Sequence, residues 1–288
     1  MTIVERDGVR IAYQRTGAGP TVLWVQGVGV IGNGWRPQVE AISHRHTCVT
    51  FDNRGLGESS RQPRELSIES LATDALAVLD AERLERAHVV GHSMGGVIAQ
   101  QLALVAPQRV RSLAMLCSFR RGRDGTTLDR SMLWTAIKSR VGPRRVRRLA
   151  FLEMIAPPAT RAAFDLEREL VALAELFGHD LADQPPVVMR QLRAMARFDA
   201  GSRLRELASI PTLVLSGELD RIAPPVSGRA LAAAIPGARY VELAGAGHAA
   251  PIHRAGEINA LLAEHFAASE GSARSAPVPA RPITPSAG

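Results

Sequence analysis

Residues 87–96 have the sequence Ala-His-Val-Val-Gly-His-Ser-Met-Gly-Gly, and this stretch decides the fold. An apolar run typical of a buried strand ends at Gly91, and the residues after Ser93 have helical spacing. At such a turn the serine backbone is strained and its hydroxyl is exposed, and the flanking glycines let strand and helix cross without a Cβ clash. The pattern predicts a nucleophile at Ser93. A glycine-rich turn with an incidental serine is the plainer alternative.

A serine hydroxyl is too weak an acid to attack unaided near neutral pH, so it needs a base that is oriented by a carboxylate. Both residue types follow Ser93 in the order serine, acid, histidine. Asp220 comes just after an apolar run that ends near Gly217, and His248 comes just after the next run. Since both loops would leave the sheet on the side of Ser93, we predict a catalytic triad of Ser93, Asp220 and His248.

Other residues compete for these roles less well. Glu218 is nearer to its strand than Asp220 and has a shorter reach, and His253 lacks a preceding glycine turn. His92 is the variable position of the turn, and we expect it to pack or to form a hydrogen bond. His44 and His46 have an alternating spacing that occurs in metal sites, but the sequence shows no third ligand beside them. We therefore expect them to be surface or structural residues and predict no metal.

The rest of the chain alternates apolar runs with helical patterns, which predicts an α/β fold with a doubly wound, mostly parallel sheet. Around Asp7-Gly8, alternating apolar and polar residues predict an antiparallel hairpin at one edge. Helices are expected after the capping residue Ser67, after Ser93 and over residues 257–266. The runs that suit strands buried on both faces are residues 21–25, 47–51, 88–91, 112–117, 212–216 and 239–243.

No strand pattern appears between about residues 119 and 207, so we predict a helical cap inserted into a core formed by residues 1–118 and 208–268. Residues 120–148 contain nine arginines and Lys138, either as a solvated helix face or as a rim that attracts an anionic substrate. The tail, residues 269–288, is rich in Pro, Ser and Ala and is expected to be disordered.

Composition excludes several classes of protein. The 288 residues are 46% hydrophobic and 22% charged, as in globular proteins and unlike collagen or disordered chains. The net charge is +7, but aromatic residues are only 4%, and we find no nucleic-acid motif. Cys48 and Cys117 fall in apolar runs, as free thiols of a reduced cytoplasm do. The sequence shows no signal peptide or membrane span, so we expect a cytoplasmic protein that binds neither membrane nor nucleic acid.

Four motifs together resemble the α/β-hydrolase superfamily, in its serine-nucleophile branch with a helical cap. They are residues 91–96, 52–59, 217–220 and 247–248, and the resemblance extends over about residues 3–268. It implies an oxyanion hole formed by the backbone N–H groups of Met94 and Val28. Gln26 stands where relatives usually have histidine, but a backbone donor does not depend on that side chain. The similar loop at Asp52 and Arg54 implies mainly structural roles for both.

The sequence thus predicts a serine hydrolase that cleaves an ester, lactone or thioester through an acyl-enzyme on Ser93, without a cofactor. The same triad also serves carbon–carbon bond hydrolysis or acyl elimination, and a hydrolase shell can serve as a ligand-binding protein. We expect a small-molecule substrate, with the arginine-rich segment favouring an anionic one, and a monomer or homodimer. No substrate-binding residue can be assigned from the sequence.

Overall fold

A computed structural model describes residues 1–60, 65–125 and 129–274, with side chains up to residue 271. Eight strands form one sheet in the order β1-β2-β4-β3-β5-β6-β7-β8. The strands are β1 (Thr2–Arg6), β2 (Val9–Thr16), β3 (Thr21–Val25), β4 (Thr47–Phe51), β5 (Ala87–His92), β6 (Val110–Leu116), β7 (Thr212–Gly217) and β8 (Arg239–Leu243).

The sheet is antiparallel at one edge and parallel everywhere else. β1 and β2 form the hairpin predicted around Asp7-Gly8, and β2 pairs antiparallel with β4. From β4 to β8 all neighbouring strands run parallel, which confirms the predicted α/β fold class. One expectation about burial is wrong: β8 is the edge strand and is largely half-exposed, because it has a neighbour on one side only.

Helices connect the parallel strands and cover the sheet. α3 packs on β5 and β6 and against α2, and α11 packs against α1 and β6. The helices are α1 (Arg36–Ile42), α2 (Ile68–Ala81), α3 (Met94–Val105), α4 (Arg130–Lys138), α5 (Arg144–Ile155), α6 (Pro158–Ala162), α7 (Leu166–Phe177), α8 (Val188–Arg197), α9 (Pro225–Ala233), α10 (Ala250–His253) and α11 (Ala255–Arg274). None of the helices within the described ranges is long and apolar enough to span a bilayer.

Local sequence explains where α2 begins. Ser67 accepts a hydrogen bond from the Ser70 N–H at 3.1 Å and so caps the start of α2.

The last helix, α11, continues to Arg274, so the expectation of disorder from residue 269 onward is wrong for residues 269–274. Ser269 is buried, and its hydroxyl donates to the His265 carbonyl at 2.8 Å. Residues 275–288, the rest of the expected disordered tail, lie outside the described residues.

The segment between β6 and β7 carries helices α4 to α8 and, where it is described, adds no strand to the sheet. Its treatment as a separate cap stays a prediction. Much of its positive charge is neutralised within the segment, because Arg144 and Arg148 both contact Asp180. These guanidinium groups, Arg148 first, hold the pKa of Asp180 well below its usual value. The arginine run is therefore in large part a set of surface ion pairs.

Candidate active site

Ser93 lies at a strained turn between β5 and α3. Its φ is 55° and its ψ is −119°, a conformation that few non-glycine residues adopt. The approach of strand and helix explains the glycines on both sides: a Cβ on Gly91 would lie 2.2 Å from the Gly95 carbonyl oxygen. A Cβ on Gly95 would lie 2.0 Å from the Val25 carbonyl oxygen. The Ser118 hydroxyl donates to the Ser93 carbonyl at 2.9 Å and braces the turn.

His248 and Asp220 form a buried pair. The distance between His248 Nδ1 and Asp220 Oδ2 is 2.8 Å. The other carboxylate oxygen, Oδ1, accepts hydrogen bonds of 2.8 Å from the N–H groups of Ile222 and Ala223. These contacts fix the carboxylate, and the Nδ1 contact fixes the imidazole ring. His248 Nε2 is therefore the ring nitrogen through which a proton can be exchanged with a neighbour.

The residues that compete with this pair in the sequence lie elsewhere and have other partners. Glu218 is exposed and accepts a hydrogen bond from the Gly245 N–H at 2.8 Å. His253 Nε2 lies 2.9 Å from a carboxylate oxygen of Glu169 in α7. Both residues therefore support local structure.

The loop after β3 places Gln26, Gly27 and Val28 beside the serine turn. A Cβ on Gly27 would lie 3.2 Å from the Cβ of Ser93, so only a glycine lets the loop come so close without displacement. The Gln26 side chain is buried, and its Oε1 accepts a hydrogen bond from the Gly27 N–H at 3.1 Å. Val28 lines the same cavity as Ser93, and Met94 begins α3 directly after Ser93.

The neighbouring Gly29 is held by two side chains from the helical segment. Gln191 of α8 accepts a hydrogen bond from the Gly29 N–H at 2.9 Å, and His179 Nε2 lies 3.0 Å from the Gly29 carbonyl oxygen. Together they fix the loop that carries Val28. Sequence reasoning missed both residues, because they lie about 150 residues away and belong to no local motif.

His92 and Cys117 lie close to His248. Their ligand atoms and a ring nitrogen of His248 are all within 4.8 Å of one another. His92 Nε2 lies 2.9 Å from the His248 carbonyl oxygen, and burial lowers the pKa of His92 to about 3. Burial also raises the pKa of the Cys117 thiol well above its usual value. Both groups are therefore uncharged at neutral pH.

The loop at Asp52 and Arg54 is held by internal contacts. The Asp52 carboxylate accepts hydrogen bonds from the N–H groups of Gly32 at 2.8 Å and Glu58 at 3.1 Å. Arg54 forms a buried two-point ion pair with Asp74, with one N–O distance of 2.6 Å. Both residues thus stabilise the loop that follows β4.

A cavity of about 420 Å³ opens onto these residues. Gln26, Val28, Ser93 and His248 are among the residues that line it. Its wall is mostly apolar and comes largely from the helical segment, through side chains that include Phe151, Met154, Phe177, Val188 and Leu192. Its size is typical of a pocket for a small organic molecule.

Two arginines of the helical segment also line the cavity. They are Arg140 and Arg193, and both are exposed. Arg140 donates to Met189 Sδ at 3.2 Å and to Gln184 Oε1 at 3.5 Å, and these partners carry no charge. Among the residues that the structure describes, neither arginine forms an ion pair with a carboxylate, in contrast to Arg144 and Arg148 of α5.

Residues 20–255 match the family model described as alpha/beta hydrolase fold. The chain belongs to the α/β-hydrolase family. This α/β hydrolase is 34% identical over 239 residues to "Putative carbamate hydrolase RutD" of Azorhizobium caulinodans, across 82% of this chain and 87% of the relative.

Solved structures agree with this assignment. The enol-lactonase from Burkholderia xenovorans superposes with a TM-score of 0.75 and 28% identity, over 92% of this chain and 100% of the other. A hydrolase from Pseudomonas aeruginosa gives a TM-score of 0.75 and 27% identity, over 92% and 97%. The protein is therefore an enzyme of the α/β-hydrolase superfamily.

Proposed function

We propose that this α/β hydrolase cleaves an ester, lactone or thioester through an acyl-enzyme on Ser93. The observation that carries the proposal is the convergence of three features on one apolar cavity. They are the strained serine turn, the His248 pair with Asp220 at 2.8 Å, and the loop that bears Val28.

In the proposed reaction His248 Nε2 accepts the proton of the Ser93 hydroxyl while Oγ attacks the substrate carbonyl carbon. The N–H groups of Val28 and Met94 stabilise the resulting oxyanion. When the tetrahedral intermediate collapses, the bond to the leaving group breaks and His248 protonates that group. Water then attacks the acyl-enzyme with His248 as base, which releases the acid and restores the Ser93 hydroxyl.

The family also favours hydrolysis at a carbonyl centre. The Azorhizobium relative is named for carbamate hydrolysis, and the Burkholderia structure is an enol-lactonase. Carbamates and lactones both contain a carbonyl carbon with a second, single-bonded oxygen, as esters do. Carbamates therefore belong in the same substrate screen as esters, lactones and thioesters.

The cavity favours an acyl group with an apolar body. Its lining includes Phe151, Met154 and Leu192, and the exposed charges on it are Arg140 and Arg193. A carboxylate on the substrate would be attracted to these cations. The proposal includes this anionic substrate, with neither metal nor cofactor taking part.

The proposal also covers the cellular compartment and the oligomeric state. Cys48 and Cys117 are free and buried, as expected of a protein from a reducing compartment. We accordingly place the reaction in the cytoplasm, with the protein as a monomer or homodimer.

The experiment measures hydrolysis of short-chain p-nitrophenyl esters and labelling by a fluorophosphonate probe. Wild type should show both activities, and Ser93→Ala should lose both. The matched control is Ser112→Ala, which removes a buried hydroxyl of β6 that lies beside His88 at the other end of β5, and this variant should keep both. If correctly folded wild type reacts with neither reagent, nor with a carbamate or lactone panel, the chain is a ligand-binding protein instead.

A further inference from the structure

A second cluster of histidines and a carboxylate lies near the amino end of β5, four residues before His92. His88 Nε2 lies 3.2 Å from Glu270 Oε1, and His46 Nε2 lies 3.3 Å from the same oxygen. The three residues come from β5, from the residue just before β4, and from α11. The sequence shows no third metal ligand near His46. The fold brings a second histidine, His88, and a carboxylate, Glu270, to it.

The spacing differs from that of a hydrogen-bonded histidine and carboxylate. A charged pair normally brings nitrogen and oxygen to about 2.7–2.9 Å. Elsewhere in this chain the same contact measures 2.8 Å for His248 with Asp220 and 2.9 Å for His253 with Glu169. In the second cluster two ring nitrogens share one oxygen at longer separations.

Those separations match the distance between ligand atoms around a tetrahedral cation. Zinc bonds of about 2.0–2.1 Å place neighbouring ligands about 3.3 Å apart. All three ligand atoms lie within 4.8 Å of one another, so a single ion can reach them with small side-chain adjustments.

His88 also has the support that a metal-binding imidazole needs. Its Nδ1 lies 2.7 Å from the Ser112 hydroxyl, which can accept the Nδ1 proton and leave the Nε2 lone pair for a metal. The ring is fully buried, and this burial together with the Ser112 contact fixes its orientation.

We propose that His46, His88 and Glu270 form a site for a zinc-like divalent transition metal, with water as the fourth ligand. The carboxylate is about one-quarter exposed, which gives an ion a path from solvent. Two imidazoles and one carboxylate favour zinc over magnesium or calcium, which prefer oxygen ligands.

Positive charges near the site also bear on this choice. Arg86 and Arg111 act on His88 electrostatically, and their positive charge opposes a bound cation. The site therefore disfavours ions that are held mainly by charge and favours ions that gain from nitrogen coordination. The site joins α11 to the sheet and lies at the end of β5 away from Ser93, so its role is structural.

The experiment uses the full chain, stripped by a chelator and then titrated with zinc or cobalt at neutral pH. Excess zinc should raise the melting temperature by about 5 °C, because an ion that binds only the folded state stabilises it. Cobalt should produce the visible absorption bands of a tetrahedral nitrogen and oxygen site. Glu270→Gln and His46→Asn should lose both effects, and the exposed His44→Asn should keep them.

Circular dichroism shows whether each variant is folded, and with two ligand variants the test still works if one of them does not fold. Absence of a temperature shift and of cobalt bands in wild type would overturn the proposal. So would a shift that persists in both ligand variants, because the metal would then bind elsewhere, for example at His92, Cys117 and His248.

Discussion

Two groups of histidine and carboxylate lie at opposite ends of β5, and they differ in what surrounds them. At the carboxyl end, His248 and Asp220 form one contact of 2.8 Å beside Ser93 and an apolar cavity. At the amino end, His46 and His88 share one oxygen of Glu270 at 3.3 and 3.2 Å. Both groups pair histidine with a carboxylate. We therefore propose His248 as a catalytic base because a serine turn and a cavity lie beside it, and not because of its carboxylate partner alone.

Backbone geometry explains why we propose a nucleophile only at the carboxyl end. The parallel strands end there, and the turn from β5 to α3 holds Ser93 at positive φ. At the amino end the serine beside the histidine, Ser112, lies within β6, lacks the positive φ of Ser93 and is fully buried. A hydroxyl in that position hydrogen-bonds to a histidine but cannot reach a substrate.

The largest expected effect comes from changing one carboxylate at each end to its amide. Asp220→Asn should lower kcat for ester hydrolysis by about 10⁴-fold, because the amide cannot hold His248 in the required tautomer. Glu270→Gln should leave kcat unchanged. Steady-state kinetics on both variants make this comparison, and equal losses would remove the distinction between the two ends.

Next in size is the effect of a methyl group at the serine turn. Gly91→Ala should lower the free energy of unfolding by about 3 kcal/mol, since overpacking of a tight backbone contact must displace strand or helix. The added Cβ would lie 2.2 Å from the Gly95 carbonyl oxygen. Gly256→Ala in α11 has no atom within 4 Å of its Cβ and should be neutral or stabilising. Denaturant unfolding distinguishes them, and equal stabilities would contradict the packing account.

A comparable effect on stability is expected from pH. Burial lowers the pKa of His88 to about 3, whereas an unfolded histidine titrates near pH 6.5. Between these values the unfolded chain binds more protons, so the free energy of unfolding falls as the pH falls from about 6.5 towards 4, by up to about 1.4 kcal/mol per unit for this residue.

The test compares the pH dependence of unfolding in His88→Asn, His44→Asn and wild type. His88→Asn should have a shallower slope, and the exposed His44→Asn should match wild type. The buried carboxyls of Asp52 and Asp74, whose pKa values burial raises, act in the opposite direction but are common to all three proteins. A slope unchanged by His88→Asn would show that its burial does not govern acid stability.

The smallest effect concerns one buried serine at each end. Ser118 donates to the Ser93 carbonyl at 2.9 Å, and Ser112 lies 2.7 Å from His88 Nδ1. Replacement of either by alanine should lower the free energy of unfolding by about 1 kcal/mol, the usual contribution of one hydrogen bond. Only Ser118→Ala should also lower kcat, because it loosens the turn. An equal fall in kcat for both variants would contradict this.

Sequence could predict what local patterns encode. The apolar runs located the parallel strands, and Ser67 marked the start of α2 where its side chain caps the helix. The glycines around Ser93 predicted the turn, because the contact they relieve is between neighbouring parts of the chain. The order of Asp220 and His248 after Ser93 allowed their pairing to be predicted from topology.

Sequence could not predict contacts that form between distant segments. Gln191 reaches Gly29 across 162 residues, and Glu270 reaches His88 across 182. Composition also predicted that disorder begins at residue 269, which is too early. A short run rich in small residues does not reveal that the Ser269 side chain is buried in the fold. The exposure of β8 depends on strand order, which its own apolar residues do not specify.

The central claim, covalent catalysis by Ser93, is tested most directly by quenching ester turnover in acid and mapping the modified peptide by mass spectrometry. We predict an acyl group on Ser93 in wild type, formed in a burst that precedes steady turnover and absent from Ser93→Ala. Turnover that continues in Ser93→Ala, or an acyl group that accumulates on another residue, would contradict the account.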